Sequence, residues 1–379
     1  MGPDDPASAH DPLALPDLAS RGLRGSVIAA SDEFFAEKEN LIKPGAATFT
    51  PHTFGHKGQV YDGWETRRRR GSASGSLPGS LAGSLAGSLP GADEHDWVIV
   101  RLGAPGVVHA VVVDTAHFTG NFPRACSVEA CRADGYPDLA ALESARWTEI
   151  VPPSPLKGDT PHVFEVPAVH RFSHVRLRIY PDGGVARLRV HGVVVPDPSL
   201  LEGMTFDLAA LENGGDVLAC SDRFYSAPRN AISPGLSRVM GEGWETRRRR
   251  SSGNEWLVVR FAAPGVVSLV EIDTSGYIGN SPGMAQVRAA AGGDFGDGGD
   301  FRDGGDGDLD GASPWESLLD RTPLLPDTPH RFRVAPRSAC DLVRLDVFPD
   351  GGVARLRLYG SLTPAGLEQV RRRWQETAG

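Results

Sequence analysis

The sequence lacks several features that would announce a function. No stretch approaches the roughly 18 consecutive apolar residues of a membrane-spanning helix. The N-terminal MGPDDPASAHDPLALPDLAS has aspartates where a secretory signal needs cations, and it has no apolar core. Pro6 stands where a myristoylation signal carries Ser or Thr. Cysteine is scarce, and Cys126, Cys131, Cys220 and Cys340 form neither a CxxC pair nor a zinc-ligand spacing, which leaves them as free thiols of a reducing compartment. The expectation is a soluble cytoplasmic protein with no membrane partner. Cationic excess is missing too: 48 Asp and Glu stand against 39 Lys and Arg, for a net charge of -9. A nucleic-acid partner is therefore not expected, and any basic site must be local.

What the sequence does have is a duplication across its 379 residues, and a repeat changes the meaning of every other motif. GWETRRRR stands at Gly63 to Arg70 and again, unchanged, at Gly243 to Arg250. VIAASDEFF at Val27 matches VLACSDRFY at Val217, and DWVIVRLGAPGVV at Asp96 matches EWLVVRFAAPGVV at Glu255. DTPH recurs at Asp159 and Asp327, and PDGGVARLR at Pro181 and Pro349, all in the same order. Two domains follow, each of single-domain size: a disordered tail at 1–16, a first repeat at 17–196, a linker at 197–206, a second repeat at 207–362 and a C-terminal segment at 363–379. Three insertions separate the copies. The first repeat gains a histidine-bearing stretch, AATFTPHTFGHKGQV, and a Gly/Ser/Leu tract at 75–91; the second gains the Asp/Gly-rich GGDFGDGGDFRDGGDGDLDG. The two low-complexity tracts read as mobile surface loops. The Asp-rich one keeps no EF-hand or nonapeptide period that would make it a calcium loop.

Period-two alternation dominates. Val175, Leu177 and Ile179 alternate with Arg176 and Arg178, and after PDGG, Ala186, Leu188 and Val190 alternate with Arg187 and Arg189, which reads as a hairpin with one apolar face. WVIVRL and VVHAVVVD read as two further strands separated by APG. Many short strands with Gly/Pro turns in domains of this size predict an all-β chain of tandem antiparallel sandwiches or jelly rolls. Only LEQVRRRWQ keeps a helical stripe, with Leu367, Val370 and Trp374 on one side.

An extended WETRRRR places Glu65, Arg67 and Arg69 on one side and Trp64, Thr66, Arg68 and Arg70 on the other. Trp64 as a core anchor with solvated arginines behind it would account for the segment structurally. Yet the copies differ at many positions between their motifs and agree at all eight here, where a solvated run would be expected to drift. DTAHFTGN (114–121) and DTSGYIGN (273–280) are the second shared feature; the Gly-Asn pair suits a turn, and Asn equally suits an amide or ureido group, being donor and acceptor at once. The copies are chemically unequal, because His117 is replaced by Gly276 and His52 and His56 lie in the first-repeat insertion. The first repeat alone thus offers imidazoles at these places, able to move protons near neutral pH.

SDEFFAEKENLIKPG, the histidine-bearing insertion, DGWETRRRR, DTAHFTGN and PDGGVARLRVHG, followed by a second copy with GEGWETRRRR, together resemble the allantoicase family. The resemblance covers nearly the whole chain outside the tails and the two low-complexity tracts. It implies tandem galactose-binding-like jelly-roll domains and a hydrolase that converts allantoate and water to ureidoglycolate and urea in purine degradation. Arginine suits a bidentate grip on the substrate carboxylate, and the departing urea and incoming water need an acid and a base. On that reading the catalytic candidates are Glu65 and His117, with Glu245 in the second copy. The substrate-binding candidates are Arg67, Arg68, Arg70 and Asn121, matched by Arg247, Arg248, Arg250 and Asn280. Two arrangements stay open: a pocket in each copy with the histidine-bearing one active, or one site made by both motifs.

No cofactor is called for. A divalent metal is compatible with His52, His56, His117 and the acidic residues, but no HExxH-like spacing assigns its ligands. The small-molecule partner is allantoate, and a homo-oligomer is compatible with the chain. A reading of a different class is a non-catalytic tandem module that binds carbohydrate or a small anion, since function lives in the site rather than the fold.

Overall fold

The computed structural model describes residues 11–69, 95–292, 314–335 and 338–379. Arg70, the Gly/Ser/Leu tract and the Asp/Gly-rich tract lie outside the described residues, as does the tail before Asp11. The chain divides into two compact units, 12–193 and 194–379, and each is an antiparallel β-sandwich.

Each sandwich is organised around one 19-residue strand, Asp96–Asp114 in the first repeat and Glu255–Asp273 in the second. Two strands separated by APG were expected here; the chain instead runs through without a break. Proline offers no N–H to a ladder, so pairing lapses there, and the register jumps between Arg101 and Gly106 and between Arg260 and Gly265. Such a bulge bends the strand, which lets its two halves serve two layers. The early part pairs with Ser26–Ala30 and Arg171–Tyr180. The late part pairs with Pro161–Glu165 and Arg187–Val194. Ala125–Cys131 and Thr148–Pro155 extend the first layer. The second repeat repeats the plan with Asp216–Cys220, Cys340–Phe348, Met284–Ala290 and Glu316–Pro323 in one layer and Pro329–Arg333 and Arg355–Leu362 in the other.

The expected hairpin across PDGG does not form. Arg171–Tyr180 and Arg187–Val194 flank different parts of the long strand and do not pair with each other. Alternation specifies which side chains face the core, not which strand is the neighbour. The inward sets hold as read: Val175, Leu177, Ile179, Leu188 and Val190 are all fully buried, facing one another from the two layers, as are Val343, Leu345, Val347, Leu356 and Leu358. In a separate short ladder, the last glycine of PDGG and the valine after it pair with the GWETRRRR segment, Gly184 with Glu65 and Val185 with Trp64. The same pairing joins Gly352 to Glu245 and Val353 to Trp244.

The C-terminal helix Pro364–Glu376 is capped by Thr363, whose hydroxyl accepts from the Gly366 amide at 2.9 Å. Val370 of the predicted stripe packs against Leu201 and Ala263. All four cysteines are free and buried, and burial pushes the thiols of Cys126, Cys131 and Cys340 up to about 12, which leaves them without nucleophilic thiolate at neutral pH. Among the described residues no helix is long and apolar enough to cross a membrane.

Gly184 and Gly352 have no room for a side chain, since a Cβ would stand inside the ring of Phe118 or of Tyr277. Gly184→Ala should cost about 1–3 kcal/mol by overpacking, read as a lowered denaturant midpoint with an unchanged slope.

Candidate active site

The motifs singled out in the sequence converge at one end of each sandwich. In the first repeat Trp64 is fully buried, and its indole N–H donates to the Asp32 carbonyl at 2.7 Å. The Glu65 carbonyl accepts from the amides of Phe35 and Ala36 at 3.1 and 3.2 Å, and the Glu65 amide donates to Ala36 at 3.2 Å. The Thr66 hydroxyl accepts from Gly183 at 3.1 Å. Gly184, already paired with Glu65, donates its amide to the Asn121 carbonyl at 2.7 Å. PDGG therefore holds both functional candidates by their backbones, and the two side chains meet: Asn121 Nδ2 donates to Glu65 Oε1 at 2.7 Å. The second repeat builds the same unit, with Asn280 Nδ2 on Glu245 Oε1 at 2.6 Å, Gly352 on the Asn280 carbonyl at 2.8 Å, and Trp244 on the Asp222 carbonyl at 3.0 Å.

Glu65 is 9% exposed, and burial raises its carboxyl above the ordinary range, opposed only by the bond from Asn121. Among the described residues, none of the arginines beside it in sequence bonds its carboxyl. Arg67 bonds Asp32 instead, through its amide and its Nε, both at 2.8 Å, and lies over the Phe34 ring at 5.0 Å. Burial alone would raise Asp32, but the amides of Arg67 and Phe34 and the Arg67 guanidinium together hold it low. Arg69 bonds Asp182 through its amide and Asp96 through its guanidinium, each at 2.7 Å. Arg247 and Arg249 repeat this on Asp222, Asp350 and Glu255. Alternate arginines are thus tied to acids. Arg68, Arg248 and Arg250 stay exposed with no bonded partner among the described residues.

His117 is not joined to Glu65 or Asn121 by a hydrogen bond. Its backbone has φ 69, the left-handed region where its counterpart is Gly276 at φ 82, and its amide bonds Asp159 at 2.8 Å. Its ring is given to the insertion: Nε2 lies 3.2 Å from the Ala47 carbonyl, and the ring stacks on Phe49 at 5.7 Å. Phe49 stacks on Tyr61, and Tyr61 on Phe118. His52 and His56 are exposed. Among the described residues no three of His, Cys, Asp and Glu come together as a metal-binding group.

Sequence reasoning passed over Asn40 and Asn230, whose side chains donate to the carbonyls of Gly63 and Gly243 at 3.0 and 3.1 Å and so fix the entry to each WETRRRR segment. The signal was present: an Asn shared by KENLI and PRNAI at matching positions.

A carboxyl-amide contact, made twice from one duplicated set of motifs, marks a tandem-repeat β-sandwich protein whose repeats share one local plan. A family model described as the allantoicase repeat matches residues 16–195 and 206–363. The chain is 50% identical to a probable allantoicase of Nocardia farcinica over 92% of its own length and 94% of the other. It is 39% identical to an allantoicase of Dictyostelium discoideum over 91% and 87%. The crystal structure of allantoicase from Saccharomyces cerevisiae superposes with a TM-score of 0.71 at 29% identity, covering 92% of this chain and 93% of that one. The chain belongs to the allantoicase family.

The folded protein binds the Glu65 proton more tightly than the unfolded chain does. Stability is therefore lost as pH rises from the ordinary carboxylate range through the higher folded value. Glu65→Gln removes that penalty and keeps an acceptor for Asn121. The variant should melt higher than the parent at pH 8, and the difference should vanish toward pH 4 in a series of thermal melts.

Proposed function

We propose that the hydrolysis of allantoate to ureidoglycolate and urea, the reaction that family membership assigns to this chain, takes place at the Glu65–Asn121 pair of the first repeat. The observation that carries this reading is the state of the Glu65 carboxyl: buried, raised, and bonded through one oxygen only, with no partner for Oε2 among the described residues. Such a group keeps its proton to higher pH than a free carboxyl does and presents it on the open oxygen. Allantoate carries a carboxylate and two ureido groups on one carbon, and the bond to one ureido nitrogen must break. Glu65 protonates that nitrogen as the lone pair of the remaining ureido nitrogen pushes urea out. The carboxylate left behind takes a proton from the water that adds to the central carbon, which restores Glu65 and gives ureidoglycolate.

Asn121 serves both partners. One Nδ2 hydrogen is spent on Glu65, while the second and the Oδ1 acceptor remain for a ureido arm, which offers a carbonyl and N–H groups in return. Arg68, exposed and unpaired among the described residues, is the carboxylate clamp in reach of this chain segment, whereas Arg67 already answers Asp32. His117 acts in this scheme through the insertion rather than on the proton. The second repeat has the Glu245–Asn280 pair and Arg248 and Arg250, but Gly241 and Gly276 stand where the first has Tyr61 and His117, so its pair lacks the ring stack. The binding-module reading is less well supported, because Phe49, Tyr61, His117 and Phe118 stack on one another rather than offering open faces to a sugar. Four buried free thiols fit the cytoplasm as the place of this reaction.

Urea release from allantoate by purified protein tests the assignment. Glu65→Gln should lower kcat by about 100-fold or more, the usual worth of a placed acid or base, and Glu245→Gln by no more than about threefold. Equal losses from both would sink the single-repeat site.

A further inference from the structure

The chemistry above makes no use of the arginines in the shared VARLR run, yet Arg187 and Arg355 are as buried as the core, at 2% and 3% exposure. A guanidinium has five N–H donors in a rigid fork, and Arg187 places all five. Nε donates to the Gly45 carbonyl at 2.9 Å. Nη1 donates to the carbonyls of Asp62 and Ala186 at 2.7 and 2.8 Å, and Nη2 to the Ala46 carbonyl and Asp62 Oδ2 at 3.2 and 2.6 Å. Arg189 takes the carbonyls of Lys43, Pro44 and Gly45 at 2.5, 3.1 and 2.8 Å, and His117 lies on Ala47. Five consecutive carbonyls, Lys43 to Ala47, thus end on side chains of the sandwich, at the point where the first-repeat insertion begins.

The same fork reaches the catalytic segment. Asp62 precedes Gly63, Trp64 and Glu65, and Arg187 grips it by carbonyl and carboxylate alike. Burial would raise the Asp62 carboxyl, but Arg187, Lys43 and the Thr48 amide together bring it down to about 2. Beyond the grip, the insertion returns to the other flank of Glu65: Lys57 bonds the Glu33 carbonyl at 3.1 Å and Glu37 at 2.7 Å, on either side of the Phe35 and Ala36 amides that hold the Glu65 carbonyl. In the second repeat the grip is looser. Glu242, in the place of Asp62, pairs with Arg238 at 2.6 Å, and Arg355 is left with carbonyls of Gly235, Asn230, Glu242 and Ala354.

We propose that Arg187 is a positioning residue for the Glu65 site: its filled fork locks the root of the insertion to Asp62, so that Glu65 and the insertion keep one relative placement, and this lock distinguishes the catalytic repeat from its copy. The inference rests on the assignment of Glu65 to the chemistry. A catalytic group displaced by about 1 Å can lose about 100-fold in rate. Lysine keeps the charge but has three donors on a flexible stem, which cannot answer five fixed acceptors.

The test compares Arg187→Lys, Arg355→Lys and Glu65→Gln in the full chain, by urea release from allantoate across pH and by thermal melting. Arg187→Lys should lower kcat by about 10- to 100-fold, leave KM within about threefold, and displace the limb of the kcat profile that reports Glu65. Arg355→Lys should lower the melting temperature comparably, with kcat within about threefold of the parent. Matching kcat losses in the two lysine variants would make the role purely structural and overturn the inference. Parental kcat and pH profile in Arg187→Lys beside an inactive Glu65→Gln overturn it alone, whereas full turnover in Glu65→Gln overturns the site reading and the inference with it. Should Arg187→Lys fail to fold, Asp62→Asn removes only the charged acceptor and carries the same expected split between kcat and KM.

Discussion

Four backbone positions carry the rest of each site. Trp64 and Glu65 pair with Val185 and Gly184, and Trp244 and Glu245 with Val353 and Gly352. These short ladders are too small to be stable by themselves. What stabilises them is the fully buried indole beside each, whose truncation to alanine would cost about 3–5 kcal/mol. Because Gly184 also donates to the Asn121 carbonyl, the pairing sets the distance between a carboxyl and an amide that are 56 residues apart in sequence. The glycines are required by the rings of Phe118 and Tyr277 that fill the space where side chains would be. One contact thus joins core packing, backbone pairing and the chemistry of the pair.

The arginine run, which looks like the active part of the motif, is mostly scaffolding around that contact. Arg67 and Arg69 lock the chain leaving Glu65 onto Asp32, Asp182 and Asp96, and their counterparts do the same on Asp222, Asp350 and Glu255. This resolves how an acidic chain keeps eight arginines in two short runs: the acids that make it acidic include the partners of alternate arginines. Among the described residues no cation bonds the carboxyl of Glu65, and burial raises it against the bond from Asn121 alone.

Much of this was legible in the residues. Duplication, sandwich architecture and inward-facing positions follow from motif order and period-two alternation, and the Glu and Asn candidates that the family resemblance suggested do meet side chain to side chain. What was not legible is pairing. Alternation on both sides of PDGG is the same whether the strands are neighbours or face each other across the core, so the hairpin was a fair reading and the wrong one. Likewise, APG reads as a break because proline interrupts a ladder, yet a bulge lets the strand bend and continue. His117 was singled out for its imidazole, and its geometry ties that imidazole to Ala47 and Phe49. Arg187 was overlooked for the converse reason: in an alternating strand it occupies an outward position, and only the fold shows that the insertion root lies over it.

The two copies show what duplication permits. The pairing, the carboxyl-amide contact and the Asp–Arg ties are retained in both, since each depends on backbone geometry that the fold itself imposes. The differences lie where the fold is indifferent: Tyr61 against Gly241, His117 against Gly276, Asp62 against Glu242, and an insertion present in one copy only. In the first repeat these positions add ring stacks and a filled guanidinium fork: Tyr61 and His117 each stack on Phe49, and Asp62 takes Arg187. More ring contacts and hydrogen bonds around a chain segment hold it in one placement, the preorganisation on which a polar site depends. Divergence has therefore worked on the surroundings rather than on the contact itself, since the second repeat keeps the same carboxyl-amide bond without these additions.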